Sequence, residues 1–406
     1  MTRVLEQIPA IIRGTANPNR SLTDVLRLVN AGWVSLVAAA GLTLIGVLAI
    51  DLADGRAGAE TALAGEGLRQ AIFALLGVAA AMVVALPHYR IVGVVATPAM
   101  IIALLLLVFL LMPGVPSWVV KPRNGTRGWI NLGLMDFQPS EVAKIAYVLV
   151  VARYLRYRSE HRRFLGLVPL GVLTAIPVGL IVLQPDLGTA MLFAPSLLAM
   201  LLAAGARLRH LTIIVVAAMM AGPAMYPLLR PHQKTRIVAL VRQMQGDRTS
   251  ASDINYQAYT AQTVIGAGGL AGVSEDRARL LLDLNPLPES HNDMVFAVIA
   301  LRWGFIGAMG VVLLAVAWVV GALWTAAQTK EPFGRLVCVG LAAFVAAQTT
   351  INVGMNIGLL PIIGITLPFV SYGGSSMMTV WMMTGLVFNV ALHRPRPPFR
   401  PSFEWE

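Results

Sequence analysis

The sequence predicts an all-α, polytopic membrane protein of about ten transmembrane helices, with a large extracytoplasmic loop between the seventh and eighth. Three observations carry that expectation. Of 406 residues, 57% are hydrophobic and 13% charged, about half the charged share of an ordinary soluble domain. The apolar residues gather into runs of about 20, the length at which a helix crosses the hydrocarbon core. The basic residues collect in alternate connections, as Lys and Arg do in short cytoplasmic loops.

The same figures exclude several classes. The balance of 31 basic and 20 acidic residues leaves +11, but the intervening sequence is apolar rather than a polar, aromatic-studded surface, so nucleic acid is not the partner. A single cysteine, Cys338, precludes an intramolecular disulfide and a cysteine metal cluster. No P-loop and no His-Glu-x-x-His pattern occurs, which disfavours ATP-driven transport and zinc-protease chemistry. No internal repeat of the kind that marks many secondary transporters is evident.

The expected spans are 31–50, 69–87, 91–112, 139–157, 165–183, 187–205, 210–229, 293–324, 335–359 and 367–392. The first follows thirty mixed residues and lacks a small-residue cleavage site after it, so it reads as a retained span rather than a signal peptide. The fourth is the most polar. It opens on Gln138-Pro139-Ser140-Glu141, where Pro at the first helical position and Glu in the first turn suit a helix start, and it carries Lys144 one turn later. Gln184-Pro185-Asp186 separates the fifth span from the sixth.

Residues 1–30 and 393–406 then form cytoplasmic tails around a membrane domain of residues 31–392. Arg3, Arg13, Arg20 and Arg27 fall on the same side as Arg153, Arg156, Arg158, Arg162 and Arg163, as Arg207 and Arg209, and as Arg394, Arg396 and Arg400. The other side receives the acidic first loop, residues 113–138, the 184–186 turn and the stretch 230–292. At over sixty residues that last stretch exceeds what a connector needs, so a functional role is the default expectation.

Ionisable groups at membrane depth are costly and tend to mark function. Glu141 and Lys144 share one helix face, and an internal ion pair is the plainer reading of them than direct catalysis. Asp186 suits an N-cap as well as a ligand role. The Gly266-Ala267-Gly268-Gly269 run would allow close approach to a phosphate, although loop flexibility accounts for it equally. Asp293, in Pro288-Glu289-Ser290-His291-Asn292-Asp293, stands where an apolar helix begins. A shielded carboxylate there can serve as a general base, yet the residues alone favour an N-cap slightly. The Gly354-Met355-Asn356-Ile357-Gly358 and Ser371-Tyr372-Gly373-Gly374-Ser375-Ser376 segments read first as close-packing elements and second as a polar cavity lining.

Taken together, ordered motifs across residues 30–393 resemble the SEDS family of bacterial membrane glycosyltransferases (shape, elongation, division and sporulation proteins). The carriers are Arg127-Gly128-Trp129-Ile130-Asn131-Leu132-Gly133, Gln138-Pro139-Ser140-Glu141 with Lys144, Gln184-Pro185-Asp186-Leu187-Gly188-Thr189, Pro288-Glu289 with His291 and Asp293, and Gly358-Leu359-Leu360-Pro361 through Leu367-Pro368-Phe369-Val370-Ser371-Tyr372-Gly373-Gly374-Ser375-Ser376. The short tails favour the RodA-like, elongation-type branch over the division type. The resemblance implies polymerisation of lipid II on the outer face of the bacterial cytoplasmic (inner) membrane, with inversion to a β-1,4 linkage and Asp293 as the base. It further implies a substrate-binding set of Arg127, Trp129, Glu141, Lys144, Asp186, Arg236, His291, Ser371 and Ser375. Of these Arg127, Lys144 and Arg236 suit the anionic pyrophosphate leaving group. No resident metal site is expected, and a divalent cation, Mg or Mn, would accompany the pyrophosphate. The implied partners are a class B penicillin-binding protein and other elongation or division proteins. The chain departs from the family pattern at Val273-Ser274-Glu275 and at Leu301-Arg302, ahead of Gly304-Phe305-Ile306-Gly307. The competing readings are a lipid II flippase and a non-catalytic scaffold for the penicillin-binding protein.

Overall fold

The computed structural model describes residues 31–54, 65–123, 126–133, 135–158, 160–225, 234, 238 and 256–393. In chain order the elements are α1 (Ala31–Ala53), α2 (Glu66–Ala85), α3 (Tyr89–Leu111), β1 (Val120–Arg123), β2 (Thr126–Asn131), β3 (Asp136–Phe137), α4 (Pro139–Leu155), α5 (Val168–Leu183), α6 (Leu187–Met191), α7 (Phe193–Ala203), α8 (Leu208–Met225), α9 (Tyr256–Gly268), α10 (Glu275–Leu284), α11 (Val295–Gln328), α12 (Pro332–Asn356) and α13 (Gly374–Leu392). Among the described residues seven helices are long and apolar enough to cross a membrane: α1, α2, α3, α5 with the turn before it, α11, α12 and α13. Three further segments occupy the remaining expected spans. The α6–α7 pair and the Leu208–Ala217 part of α8 are shorter apolar stretches, and α4 is a 17-residue helix that carries Glu141 and Lys144.

Small residues set the helix contacts, as in other membrane bundles, where close backbone approach replaces a hydrophobic driving force. A Cβ on Gly385 of α13 would fall 2.4 Å from the Ala81 carbonyl of α2, and one on Gly321 of α11 would meet Ser35 Oγ of α1 at 2.5 Å. Ser35 Oγ in turn donates to the Trp318 carbonyl at 2.9 Å, and the buried Trp318 indole donates to Thr384 Oγ1 at 3.0 Å. These bonds satisfy polar groups that lipid could not.

The structure departs from the sequence reading in four places. Residues 113–138, expected as loop, contain a three-stranded antiparallel sheet of order β1-β2-β3, with Val120 opposite Ile130 and Ile130 opposite Phe137. Residues 230–292 contain two helices, α9 and α10. The last span does not begin at 367: residues 357–373 are irregular, with positive φ at Gly358, Gly364, Phe369 and Gly373, and Pro361, Pro368 and the Gly373-Gly374 pair oppose a helix there. The eighth span breaks at Gly304, which takes φ 65° and ψ −162°.

That break is filled by the α9–α10 corner. Beyond Gly304 the Phe305 and Ile306 N–H groups donate to the carbonyls of Gly269 and Leu270 at 2.9 and 3.1 Å, and the Leu301 carbonyl accepts from Val273 N–H at 3.1 Å. Backbone groups freed by the kink are thereby paired, as burial requires. Contacts of Glu66 with Asp54 and His291, of Gln70 with Ser371, of Gln138 with Ser375 and Asp186, and a cavity lined by Leu52, Ala53, Arg279 and Ser290 bring the end of α1, the start of α2, the sheet, the start of α4, the 184–186 turn, α10, the start of α11 and the 357–373 segment to one end.

Candidate active site

Asp293 stands where a tight turn meets α11. Glu289 takes φ 57°, and its carbonyl accepts from the N–H groups of Asn292 and Met294 at 3.0 and 3.2 Å. The N-cap position of α11 falls on Met294, which makes no side-chain cap, and Asp293 lies one residue before it. Asp293 is buried, at 8% exposure, and a Cβ on Gly364 would lie 3.9 Å from its Oδ2. The 357–373 segment thus forms a wall beside the carboxylate.

The three successive carbonyls leading to that carboxylate are each held. The His291 carbonyl accepts from Tyr372 N–H at 2.8 Å. The Asn292 carbonyl accepts from Ser371 Oγ at 2.5 Å, and the Asp293 carbonyl accepts from both Asn352 Nδ2 and Asn356 Nδ2 at 2.9 Å. Gln70 of α2, fully buried, closes the set from the opposite side: Nε2 donates to the Ser371 carbonyl at 2.9 Å and Oε1 accepts from Gly373 N–H at 3.2 Å.

Each expected binding residue can now be placed. His291 is partly exposed, with Nδ1 3.5 Å from Glu66 Oε2 and its ring edge-on to Tyr372 at 5.7 Å. Ser371 and Ser375 have their hydroxyls engaged by backbone. Ser371 Oγ also accepts from Leu367 N–H at 2.7 Å, while Ser375 Oγ donates to the Asp136 carbonyl and accepts from Gln138 N–H, at 2.9 and 3.0 Å. Their position is therefore structural as well as adjacent to the site. Arg127 and Trp129 alternate with Thr126, Gly128 and Ile130 along β2 and share one strand face. Arg236 lies outside the described residues. Within the Gly266–Gly269 run Gly268 is closely packed, since a Cβ there would meet the Ala300 carbonyl at 2.0 Å, whereas one on Gly266 or Gly269 would meet nothing within 4 Å. The two departures from the family pattern touch each other, since Arg302 Nη1 donates to the Val273 carbonyl at 3.0 Å.

Deeper in the bundle, Lys144 Nζ lies 2.7 Å from Glu141 Oε1 with both side chains buried, and it donates to Gln348 Oε1 at 3.3 Å. Gln348 Nε2 reaches the Thr366 carbonyl and hydroxyl at 2.9 and 3.1 Å. Asp186 does cap α6, its Oδ1 accepting from Thr189 N–H at 2.9 Å, and its Oδ2 faces Gln138 Nε2 at 3.4 Å. Burial raises the Asp186 carboxyl above its ordinary range, with the nearby Glu141 adding to the rise and the Thr189 bonds and Lys144 opposing it. Sequence reasoning missed Gln70, Gln348 and Asn352, and read Asn356 first as packing and second as a polar cavity lining. A signal was present: Gln348, Asn352 and Asn356 recur every four residues in a run whose other members, Thr349 and Thr350 apart, are apolar, which draws a polar stripe along one helix face.

This architecture defines a polytopic helical membrane protein with carboxylates and amides gathered at one end of its bundle. A family model described as "Cell cycle protein", for FtsW, RodA and SpoVE, matches residues 31–396. The chain is 31% identical over 378 residues to a probable peptidoglycan glycosyltransferase FtsW of Trichlorobacter lovleyi, covering 91% of this chain and 95% of that protein. It is 33% identical to stage V sporulation protein E of Bacillus subtilis, over 80% and 86% of the two chains. The peptidoglycan glycosyltransferase MrdB of Escherichia coli K12 is 34% identical over 67% of this chain and 72% of its own. Among solved structures, a chain from work on structural coordination of polymerization and crosslinking by a peptidoglycan synthase complex superposes with a TM-score of 0.73 at 28% identity, covering 88% of this chain and 97% of that one. The rod shape determining protein RodA of Thermus thermophilus superposes at 0.64 and 26%, covering 90% and 98%. The chain belongs to this SEDS family of membrane proteins.

Proposed function

We propose that this chain is a peptidoglycan glycosyltransferase that polymerises lipid II, with Asp293 as the general base. The observation that supports the reading is a buried carboxylate whose backbone is fixed at three consecutive carbonyls, in a chain whose relatives are named for that activity. In the reaction, Asp293 takes the proton from the 4-hydroxyl of the acceptor N-acetylglucosamine. The freed oxygen attacks the anomeric carbon of the donor N-acetylmuramic acid, a new C–O bond forms, and the bond to the lipid pyrophosphate breaks with its electron pair leaving on the pyrophosphate. Attack opposite the leaving group yields the β-1,4 linkage. General-base catalysis of this kind contributes about 10²–10⁴-fold.

Arg127 stands on the sheet at the same end of the bundle as Asp293, where a cation suits the departing dianionic charge. The described residues hold no group of three or more His, Cys, Asp or Glu side chains that could hold a metal ion. A Mg or Mn ion arriving with the pyrophosphate would draw its ligands chiefly from the substrate. The setting we propose is the bacterial inner membrane with both termini cytoplasmic. The site end then faces outward, beside a class B penicillin-binding protein and other elongation or division proteins. The synthase-complex neighbour supports the partnership.

The test is polymerisation of labelled lipid II by the purified protein in complex with a transpeptidase-inactive penicillin-binding protein. Asp293→Asn should lower strand formation by at least about 10²-fold while the complex remains intact. Wild-type strands from Asp293→Asn would overturn the assignment. No strands from the wild type, with the complex formed, would transfer the reading to a scaffold.

A further inference from the structure

We infer that Asn352 and Asn356 of α12 are positioning residues for the Asp293 carboxylate, an inference that rests on the proposed role of Asp293. Both amides are fully buried. They stand one helical turn apart, on the face shared with Gln348, and both aim Nδ2 at the Asp293 carbonyl at 2.9 Å. An acceptor with two donors has both lone pairs engaged, which fixes the peptide plane between Asp293 and Met294. The orientation of that plane sets the direction of the Asp293 side chain.

The second hydrogen of each amide adds to this. Asn352 Nδ2 also donates to the Ile365 carbonyl at 2.7 Å, next to Gly364, the residue that walls the carboxylate. One amide group therefore spans the base and the wall opposite it, and holds the gap between them. Asn356 Nδ2 also donates to the Asn352 carbonyl at 2.9 Å, which fastens the pair to each other. The arrangement has a cost, because the buried Asn356 Oδ1 finds no hydrogen-bond partner among the described residues. A residue selected only for packing would not need this orientation, and an apolar side chain would avoid the unsatisfied acceptor.

A carboxylate displaced by about 1 Å loses roughly 10²-fold in rate without a matching loss of substrate affinity. The experiment compares Asn352→Ala, Asn356→Ala and Asn352→Asp with wild type in the intact complex, measuring kcat, KM for lipid II, and thermal unfolding. The expected result is a drop of about 10–10² in kcat with KM within about threefold, larger for Asn352 because it holds both the base and the wall. Ser35→Ala, which removes a buried hydrogen bond at the far end of α1, supplies a control whose unfolding temperature falls while kcat stays unchanged. Wild-type kcat in the folded Asn variants, alongside a dead Asp293→Asn, would overturn this inference and leave the proposed function standing. An active Asp293→Asn would overturn both. If the alanine variants fail to fold, Asn352→Gln and Asn356→Gln keep the polarity but shift the amide by one methylene, and unchanged kcat in those overturns the inference equally.

Discussion

Glu141 and Lys144 form an ion pair of 2.7 Å on one face of α4, with side-chain exposures of 5% and 1%. Lys144 is tied onward to Gln348 of α12, so the pair couples two helices below the site. Attraction inside a low-dielectric bundle compensates for the loss of hydration only while both charges are present. Lys144→Met alone should lower stability by about 3–5 kcal/mol, because a buried carboxylate is left uncompensated. The double replacement Glu141→Met/Lys144→Met should recover most of that loss. Thermal unfolding of the four-member cycle checks it, and additive losses would contradict the pairing.

Asp186 supplies a pH prediction. Burial holds its folded pKa above the ordinary value of 3.8, so the native state favours the protonated carboxyl. The stability it contributes is complete below the unfolded pKa and is lost as pH rises through the folded one. Asp186→Asn keeps an acceptor for Thr189 N–H and removes the titration. The unfolding temperature of wild type relative to Asp186→Asn should therefore fall as pH increases from about 4 upward. A difference that does not change with pH would contradict the assignment.

Gly304 makes the kink in α11 sterically specific. Its φ of 65° is a left-handed conformation, and a Cβ there would sit 2.3 Å from Gly272 N and 2.4 Å from the Leu270 carbonyl. Backbone strain alone costs a non-glycine residue about 1–3 kcal/mol, and the clash adds to it by displacing the α9–α10 corner. Gly304→Ala should release that corner, read as faster proteolysis between residues 256 and 284 and a loss of polymerisation. Unchanged protease resistance would show the corner to be held elsewhere.

Gln70 is fully buried with its amide oxygen and nitrogen both bonded to the 371–373 segment. Gln70→Ala leaves a carbonyl and an N–H without these partners, a loss of about 1–3 kcal/mol for each group. The unfolding temperature should fall accordingly. Gln70→Leu, close in volume, should fare no better because the backbone groups remain unpaired.

What the sequence by itself determined was the bundle and the helix starts at which several of its buried ionisable groups stand. Apolar runs separated by charge or proline mark helices wherever lipid forbids unsatisfied backbone, and the ten expected spans each correspond to a helical segment. Glu141 and Lys144 were legible as a pair because helical periodicity alone puts residues three apart on one face. Asp186 and Asp293 were legible as carboxylates at helix starts, but their exact positions were not: Asp186 stands at the N-cap of α6 and caps it with its side chain, whereas the N-cap position of α11 falls on Met294, one residue past Asp293. That outcome depends on the φ and ψ of the preceding turn, which tertiary contacts set.

Only the tertiary structure decided the rest. Gln70 meets Ser371 across 301 positions of chain and Asn356 meets Asp293 across 63, and no local pattern encodes such pairings. The irregular 357–373 segment shows why. Its hydropathy resembles that of a helix start, yet its carbonyls and N–H groups find partners on α2, α12 and the turn before α11 instead of within a helix. A buried backbone takes whichever set of bonds satisfies all its groups together, and that choice exists only once the helices are side by side.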